Sequence, residues 1–528
     1  MTAGLPCSKC TELSPSSAKL APTEARVPPS SDVGTEASVD LHGASSDASS
    51  LAPRARRGAI WALSGYGASQ LLRLGGNLIL WRLLHPEAFG LMAIVNVFMQ
   101  GLHMFSDVGI GPSIVQNARG DEPDYLNTAW TIQVVRGALL FLVACALAAP
   151  LAAFYEQPAL ASLIPAVAVG SLISGFNSTR LMTAARHIAL SRVTLIELTA
   201  QFSGVAVMIA VGYAYRSVWA LVVGGAVSAT VKLGLTHRIL PGLRNRFRWD
   251  RPSAGVLLRF GRWIFLSTLL AFAVDQSDRL VFGKLVPMSL LGVYSIALMW
   301  ATLPMQVVNH VFNSVLFPLL SRVNNAGKDP ALAFRESGIT WLILGGWVTA
   351  CLLAGGPLIV RFLYDQRALE AGLFMQLLGG GTWLGILAAA SSTTLFAHGV
   401  PKWVVFGSAA KLVGMLTFIP AGMALWGFRG AVAGYAASQV LMYAVVGSAA
   451  FRLKLKDLRA DARLSLVVVF TAGAGWLCAS LASTLFPASG RSATLAHGVL
   501  VFLVVSAPWG LVHRAHRARS SRYAWISA

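Results

Sequence analysis

Acidic side chains are scarce in this chain: 22 Asp and Glu among 528 residues, against 42 Lys and Arg, leave a formal net charge of +20. Charged residues of both signs make up only 12% of the sequence, whereas 55% is hydrophobic and the mean hydropathy is +0.63. A soluble core of this length does not consume that much apolar surface, so the surplus has to face lipid. In a soluble chain the basic excess would suggest nucleic acid. Here the Lys and Arg fall between apolar runs, and no nucleic-acid partner is expected. Cysteine is rare too. Five residues do not make a disulfide framework, and Cys145, Cys351 and Cys478 sit inside apolar runs, where a thiol behaves as a small hydrophobe. Cys7 and Cys10 have CxxC spacing, but a lone pair supplies two of the four ligands that a structural zinc needs, so no metal is expected. There is no GxxxxGK[ST] loop, no HExxH and no GxSxG elbow. Together these absences argue against an ATP-driven pump, a metallohydrolase and a serine hydrolase, and no cofactor is expected.

What is present in abundance is the long apolar run. About 20 apolar residues cross a bilayer core, and fourteen such runs can be counted, at approximately 59–81, 88–114, 128–154, 159–180, 193–214, 217–237, 260–283, 289–316, 338–360, 371–396, 403–425, 429–451, 464–486 and 494–512. Unpaired backbone groups are intolerable in lipid, so these are read as helices and the fold as an all-α polytopic membrane protein. Residues 1–53, rich in Ser, Pro, Ala and Thr without apolar period, read as a disordered cytoplasmic tail. No cleavable signal peptide is visible ahead of the first run.

Orientation follows from the basic residues. With a cytoplasmic N-terminus, the inside joints collect Arg54, Arg56, Arg57, Arg119, Arg180, Arg186 and Arg192, seven Arg from Arg238 to Arg262, then Arg322, Lys328, Arg335, Lys402 and the basic stretches 452–463 and 514–522. The outside joints hold only Arg82, Arg216, Lys284, Arg361, Arg367, Arg429 and Arg491. This asymmetry predicts two cytoplasmic termini. A basic connector over 238–259, expected to attract anionic headgroups, divides an N-terminal six-helix bundle (54–237) from a C-terminal one (260–451). The segment 452–528 adds two helices and a basic tail. The two bundles read as pseudo-symmetric: Leu84-His85-Pro86-Glu87-Ala88-Phe89-Gly90-Leu91 parallels Leu285-Val286-Pro287-Met288-Ser289-Leu290-Leu291-Gly292-Val293 at an offset near 202, and Trp219–Gly224 echoes Arg429–Gly434 more weakly.

Polar side chains at membrane depth cost about 2.5–3.5 kcal/mol on insertion scales, so they should face an interior or a wet cavity. Gln70, Arg73 and Asn77 share one face of the first run, and Asn96, Gln100, His103 and Asp107 stripe the second. Asp275, Asp278 and Arg279 share a face of the seventh, and Gln306, Asn309, His310 and Asn313 stripe the eighth. Runs 1, 2, 7 and 8 are therefore expected to line a cleft between the bundles. The alternative is that these stripes are interhelical hydrogen bonds, each worth about 0.6 kcal/mol. Arg73, Arg136 and Lys411 have no opposite charge on their own helix and are candidates to contact an anionic cargo. Glu197 and Gln201 form a further polar pair, while Arg180, Lys232 and Arg262 lie near enough to helix ends to snorkel.

Several segments together carry a resemblance: Phe265-Leu266-Ser267, the stretch Asp275-Gln276-Ser277-Asp278-Arg279-Leu280-Val281-Phe282-Gly283-Lys284, Leu291-Gly292-Val293-Tyr294-Ser295-Ile296-Ala297, Leu303-Pro304, Val315-Leu316-Phe317-Pro318-Leu319-Leu320-Ser321-Arg322, and in the first half Phe89-Gly90-Leu91 and Phe105-Ser106-Asp107-Val108-Gly109-Ile110. Over residues 58–460 the chain resembles the Wzx-type oligosaccharide flippases, the polysaccharide-export branch of the multidrug/oligosaccharidyl-lipid/polysaccharide exporter superfamily. The resemblance implies two bundles rocking about a cationic cavity and carrying a polyprenyl-pyrophosphate-linked oligosaccharide across a bacterial inner membrane, alongside membrane lipids and other polysaccharide-assembly proteins. A pyrophosphate head needs fixed cations, for which Arg73, Arg136, Arg279 and Lys411 are the expected set. Asp107, Asp275 and Asp278 are the carboxylates available for ion coupling, with Gln70, Asn77, Asn96, Gln100, His103, Gln306, Asn309 and Asn313 as polar lining. A drug/cation antiporter or lipid II flippase of the same superfamily would share the topology. A membrane-embedded glycosyltransferase or polymerase, or an assembly scaffold, is a rival of another class. No outside joint exceeds roughly a dozen residues, which leaves little room for a catalytic loop and makes an enzyme the weaker class.

Overall fold

The computed structural model describes residues 61–523, apart from 62–63, 108, 118, 188–189 and 486–489. The expected tail 1–53, Cys7, Cys10, Arg54, Arg56 and Arg57 lie outside the described residues, as does the side chain of Arg262. No strand occurs among the described residues. Helix α1 spans 64–83 and is followed by α2 (Pro86–Phe105), α3 (Ile110–Gln116), α4 (Pro123–Phe154), α5 (Leu160–Gly175), α6 (Arg180–Arg186), α7 (Leu190–Tyr215) and α8 (Trp219–Arg238). In the second half come α9 (Arg251–Leu285), α10 (Met288–Val311), α11 (Phe317–Asn325), α12 (Pro330–Ala333), α13 (Ile339–Leu363), α14 (Leu369–Ala397), α15 (Lys402–Arg452), α16 (Leu458–Leu485) and α17 (Arg491–Tyr523). Pro86, Pro123 and Pro330 open their helices, where the missing N–H would have had no partner in any case.

Ten of these helical stretches are long and apolar enough to cross a bilayer, eleven if the pair α5 and α6, bent by 62°, counts as one. The protein is therefore a multi-pass membrane protein. The expected runs and the observed helices differ in instructive ways. The second run was expected to continue to 114, but α2 stops at Phe105. Asp107 Oδ1 accepts the Gly109 N–H at 2.9 Å, and Gly109 turns left-handed with φ +64° before α3 begins. The fourth run ends at Gly175 instead of near 180. The eighth continues through a π-turn at Phe312–Leu316 into α11, a slip imposed by Pro318, which has no N–H for the regular ladder. The eleventh and twelfth runs are joined in α15, which reverses at Trp426 and Gly427, the latter at φ +59°. Gly422 packs on Gly430, Gly434 on the Phe418 carbonyl and Gly414 on Ser438, so its two arms lie antiparallel with their backbones in contact.

Packing follows the halves. α4, α5, α7 and α8 pack on one another, and α1 lies along α7 through Gly65 against Thr194 and Gly76 against Val205. α10, α13, α14 and α15 form the corresponding set, with α16 and α17 packed on α13. Three indole N–H groups at that seam are satisfied: Trp347 by Ser506 and Trp383 by Ser465, both at 2.9 Å, and Trp509 by Thr471 at 3.2 Å. The halves meet where α2 packs on α9 and α10 and where α4 packs on α9.

The last nine residues of the expected connector 238–259 are helical. α9 begins at Arg251 because the Asp250 side chain caps it by accepting the Ser253 N–H, so only residues 239–250 join α8 to α9. That segment is tied down. The N–H groups of Arg246, Arg248 and Asp250 donate to Asn127, Thr131 and Thr128 of α4. Asn245 accepts from Ser178 and donates to Thr179. Arg180, expected to snorkel, is buried and donates to the carbonyls of His237, Leu240 and Leu243.

Candidate functional site

A cavity of about 640 Å³ opens among α1, α2, α5 and α8, closed on its other side by α9 and α10. From the expected set it collects Arg73 and Asn77 of α1, Asn96 and His103 of α2, and Arg279 of α9. Arg73 Nη2 donates to Gln306 Oε1 at 3.0 Å, whereas its Nε is buried without a partner. A guanidinium N–H left in that state costs about 1–3 kcal/mol and is the kind of group a ligand would satisfy. Arg279 Nη1 donates to Gln276 Oε1 at 2.9 Å on its own helix. His103 Nε2 meets Ser171 Oγ at 2.9 Å, and the Asn77 amide points at Met299 Sδ.

Part of the α1 and α10 stripes holds the halves together instead of lining the cavity. Gln70 donates to Tyr66 at 2.7 Å and to Gln306 at 3.2 Å, and Gln306 donates to Thr302 at 3.0 Å. Tyr66 stacks flat on His310, ring centroids 4.3 Å apart. The stripes of α1 and α10 are thus zipped together behind Arg73, combining the cleft reading with the hydrogen-bond reading. Gln100, Asn309 and Asn313 do not line the cavity.

Five further candidates sit elsewhere. Arg136 on α4 donates to the His103 carbonyl at 2.6 Å and to Ser106 Oγ at 2.9 Å, with Asp107 4.0 Å from its third nitrogen. It finishes the end of α2, and its charge partner lies on another helix. Asp107 accepts from Gly109 and shares that same helix end. Lys411 is buried against the Tyr435 ring, 5.8 Å from its centroid, away from the cavity. Asp278 is fully buried; one carboxylate oxygen accepts from the Tyr294 hydroxyl and the other has no hydrogen-bond partner. It and Asp275, one turn earlier, do not line the cavity. Lys232, expected to snorkel, lies 3.6 Å from Glu197, and Gln201 pairs with Ser69.

The helical period did not reveal the far wall, made by Gly170, Ser171 and Ser174 of α5 and Gly225, Ala226 and Ala229 of α8. Small residues three and four apart are a signal for close approach in membranes, and here they leave space in place of a side chain.

Residues 79–371, more than half of the chain, match the polysaccharide biosynthesis protein family. The amylovoran biosynthesis protein AmsL of Erwinia amylovora is 24% identical over 48% of this chain and 66% of its own length. The lipopolysaccharide biosynthesis protein WzxC of Escherichia coli K12 is 21% identical over 47% and 50%, and the succinoglycan biosynthesis transport protein ExoT of Rhizobium meliloti is 24% identical over 52% and 54%. The chain therefore spans about half to two-thirds of the length of the relatives it matches. Its fold is similar to that of the lipid II flippase MurJ in an inward closed conformation, with a TM-score of 0.65 at 11% identity over 85% of this chain and 98% of that one. It is also similar to an inward-facing multidrug resistance MATE transporter of the MOP superfamily, with a TM-score of 0.56 at 12% identity over 73% and 94%. By the match over residues 79–371, this chain belongs to the polysaccharide biosynthesis protein family.

Proposed function

We propose that the protein is a flippase that moves a lipid-linked oligosaccharide repeat unit of polyprenyl-pyrophosphate type across the bacterial inner membrane by alternating access, and that it is not an enzyme. The observation that carries this reading is the charge of the cavity: Arg73 and Arg279 line it, and no Asp or Glu does among the described residues. Two guanidinium groups facing one space from the two halves suit a diphosphate, whose four peripheral oxygens accept paired N–H donors. A cation exporter would want the opposite sign. The names of AmsL, WzxC and ExoT support polysaccharide cargo. Cytoplasmic termini and fourteen spans fit the one-sided distribution of Lys and Arg, with 54–237 and 260–451 as the moving halves and 452–528 as the added pair of helices. Of the carboxylates, Asp275 and Asp278 remain the candidates for ion coupling, while Asp107 is committed to a turn. Other assembly proteins are expected partners.

The test is complementation of a deletion strain. Accumulation of lipid-linked repeat units with loss of surface polymer, rescued by the wild type and at least about tenfold less by Arg73→Ala or Arg279→Ala at equal protein level, supports the reading. Normal surface polymer in the deletion strain refutes it.

A further inference from the structure

The face at which α8 ends and α9 begins carries an arrangement apart from the cavity of Arg73 and Arg279. After a bend at Gly242, the chain crosses the start of α4 without regular secondary structure up to Asp250, fastened through the alternate N–H groups of Arg246, Arg248 and Asp250. Arg244, Arg246 and Arg248 remain exposed, and between and beside them Phe247 and Trp249 are 67% and 56% exposed. Together with Asn127 and Leu243, the three arginines and Phe247 border a cavity of about 410 Å³.

The local acids are already engaged. Asp121 pairs with Arg186 at 3.0 Å and His187 at 3.1 Å, Glu122 with Arg119 at 2.7 Å, and Asp124 with Arg248 at 3.0 Å, while Asp250 caps α9. Arg244 and Arg246 have no described acidic partner. Depth can be judged from α4, which carries the apolar run 128–154. The segment crosses α4 at Asn127–Thr131, where that run starts, which sets it at the boundary between the hydrocarbon core and the headgroup layer. Long arginine side chains reach from there into that layer, and aromatic rings favour the same zone.

We propose that residues 241–250 form a strap that binds the phosphate headgroups of anionic phospholipids in the leaflet on this face, with Arg244 and Arg246 as its two uncommitted cations and Phe247 and Trp249 seated at the acyl boundary. The strap ties α4, α8 and α9, and so the junction of the two halves, to the charge of that leaflet. This holds whether or not the protein is a flippase.

Native mass spectrometry of the full-length protein in detergent, titrated with phosphatidylglycerol or with phosphatidylcholine of the same acyl chains, tests it. The wild type should retain phosphatidylglycerol in preference, and Arg244→Gln/Arg246→Gln should weaken that binding about tenfold without changing phosphatidylcholine. The pair R244K/R246K should restore most of the preference, and the charge-matched control R216Q/R429Q should leave it intact. Equal loss in the control means that net charge alone attracts the lipid and overturns the strap, as does an unchanged preference in R244Q/R246Q. Release of the lipid by inorganic pyrophosphate below that of an equal ionic strength of sulfate would reassign the arginines to a free diphosphate and overturn the lipid assignment.

Discussion

Gly90 and Gly292 stand 202 residues apart and meet face to face across the crossing of α2 and α10. A Cβ on Gly90 would collide with the Met288 carbonyl oxygen, and a Cβ on Gly292 would collide with that of Pro86. Met288 and Pro86 are also 202 residues apart, so the contact is its own image under the internal repeat. The crossing is the local two-fold of the pseudo-symmetric architecture, and both helices have already used their freedom to approach.

Alanine at either glycine should therefore destabilise, although alanine is the better helix former by about 1 kcal/mol. A carbonyl in a helix cannot step aside as a side-chain tip can, and overpacking of this kind costs about 1–3 kcal/mol. Gly90→Ala and Gly292→Ala should each lower the thermal midpoint of the detergent-solubilised protein by a few degrees. Gly75→Ala, where a Cβ meets nothing within 4 Å, should leave it unchanged or raise it. A midpoint in Gly90→Ala as high as in Gly75→Ala would mean that the crossing has slack.

Arg136 and Asp107 serve the end of α2, which separates them from the cavity arginines. Arg136→Ala strips donors from the His103 carbonyl and Ser106 and should cost about 1–3 kcal/mol of stability, while transport per folded molecule falls less than in Arg73→Ala. Asp107→Asn keeps the oxygen that receives the Gly109 N–H and should behave nearly as the wild type. Asp107→Ala should melt lower. A transport-dead, normally stable Asp107→Asn would return this carboxylate to the coupling role.

At the other end of α1, Trp81 Nε1 donates to Asp365 Oδ1 at 3.1 Å and Arg367 Nε to Oδ2 at 2.8 Å, while Arg367 also reaches the Trp81 carbonyl at 3.2 Å. Burial on its own would raise the Asp365 carboxyl, but hydrogen bonds from Arg367 and Trp81 more than offset it and hold the group below the usual carboxylate range. A lowered folded value means that ionised Asp365 stabilises fully above about pH 4 and that this contribution is lost as pH falls through the folded value. The gap in melting temperature between wild type and Asp365→Asn should be widest near neutrality and close on acidification. A gap that widens in acid would reverse the sign.

Lys456 and Asp461 form an ion pair at 2.8 Å with side chains 1% and 3% exposed, and Asp461 also accepts from Tyr443 at 2.9 Å. Removing one member leaves an uncompensated buried charge, so Lys456→Met or Asp461→Leu alone should cost about 3–5 kcal/mol. The double substitution should recover a large part of that loss, measured as a double-mutant cycle on chemical unfolding. Additive losses would show that the two groups do not act as a pair.

Much of this molecule was legible in one dimension. Apolar run length specifies a helix in lipid because a single segment can satisfy its own backbone polar groups there only as a helix, and the helical period puts Gln70, Arg73 and Asn77 on one face. The repeat was visible because both copies need a proline-containing joint and a glycine at the crossing. Only the tertiary structure decided which cations remain available. Arg73 and Arg136 look alike in sequence, each a lone base in an apolar run, yet one keeps a buried N–H at the cavity edge and the other closes a helix end on a different element. Periodicity fixes the direction in which a side chain leaves its own helix; the partner it finds belongs to the neighbouring helix, and so the choice between a binding arginine and a structural one is made by packing.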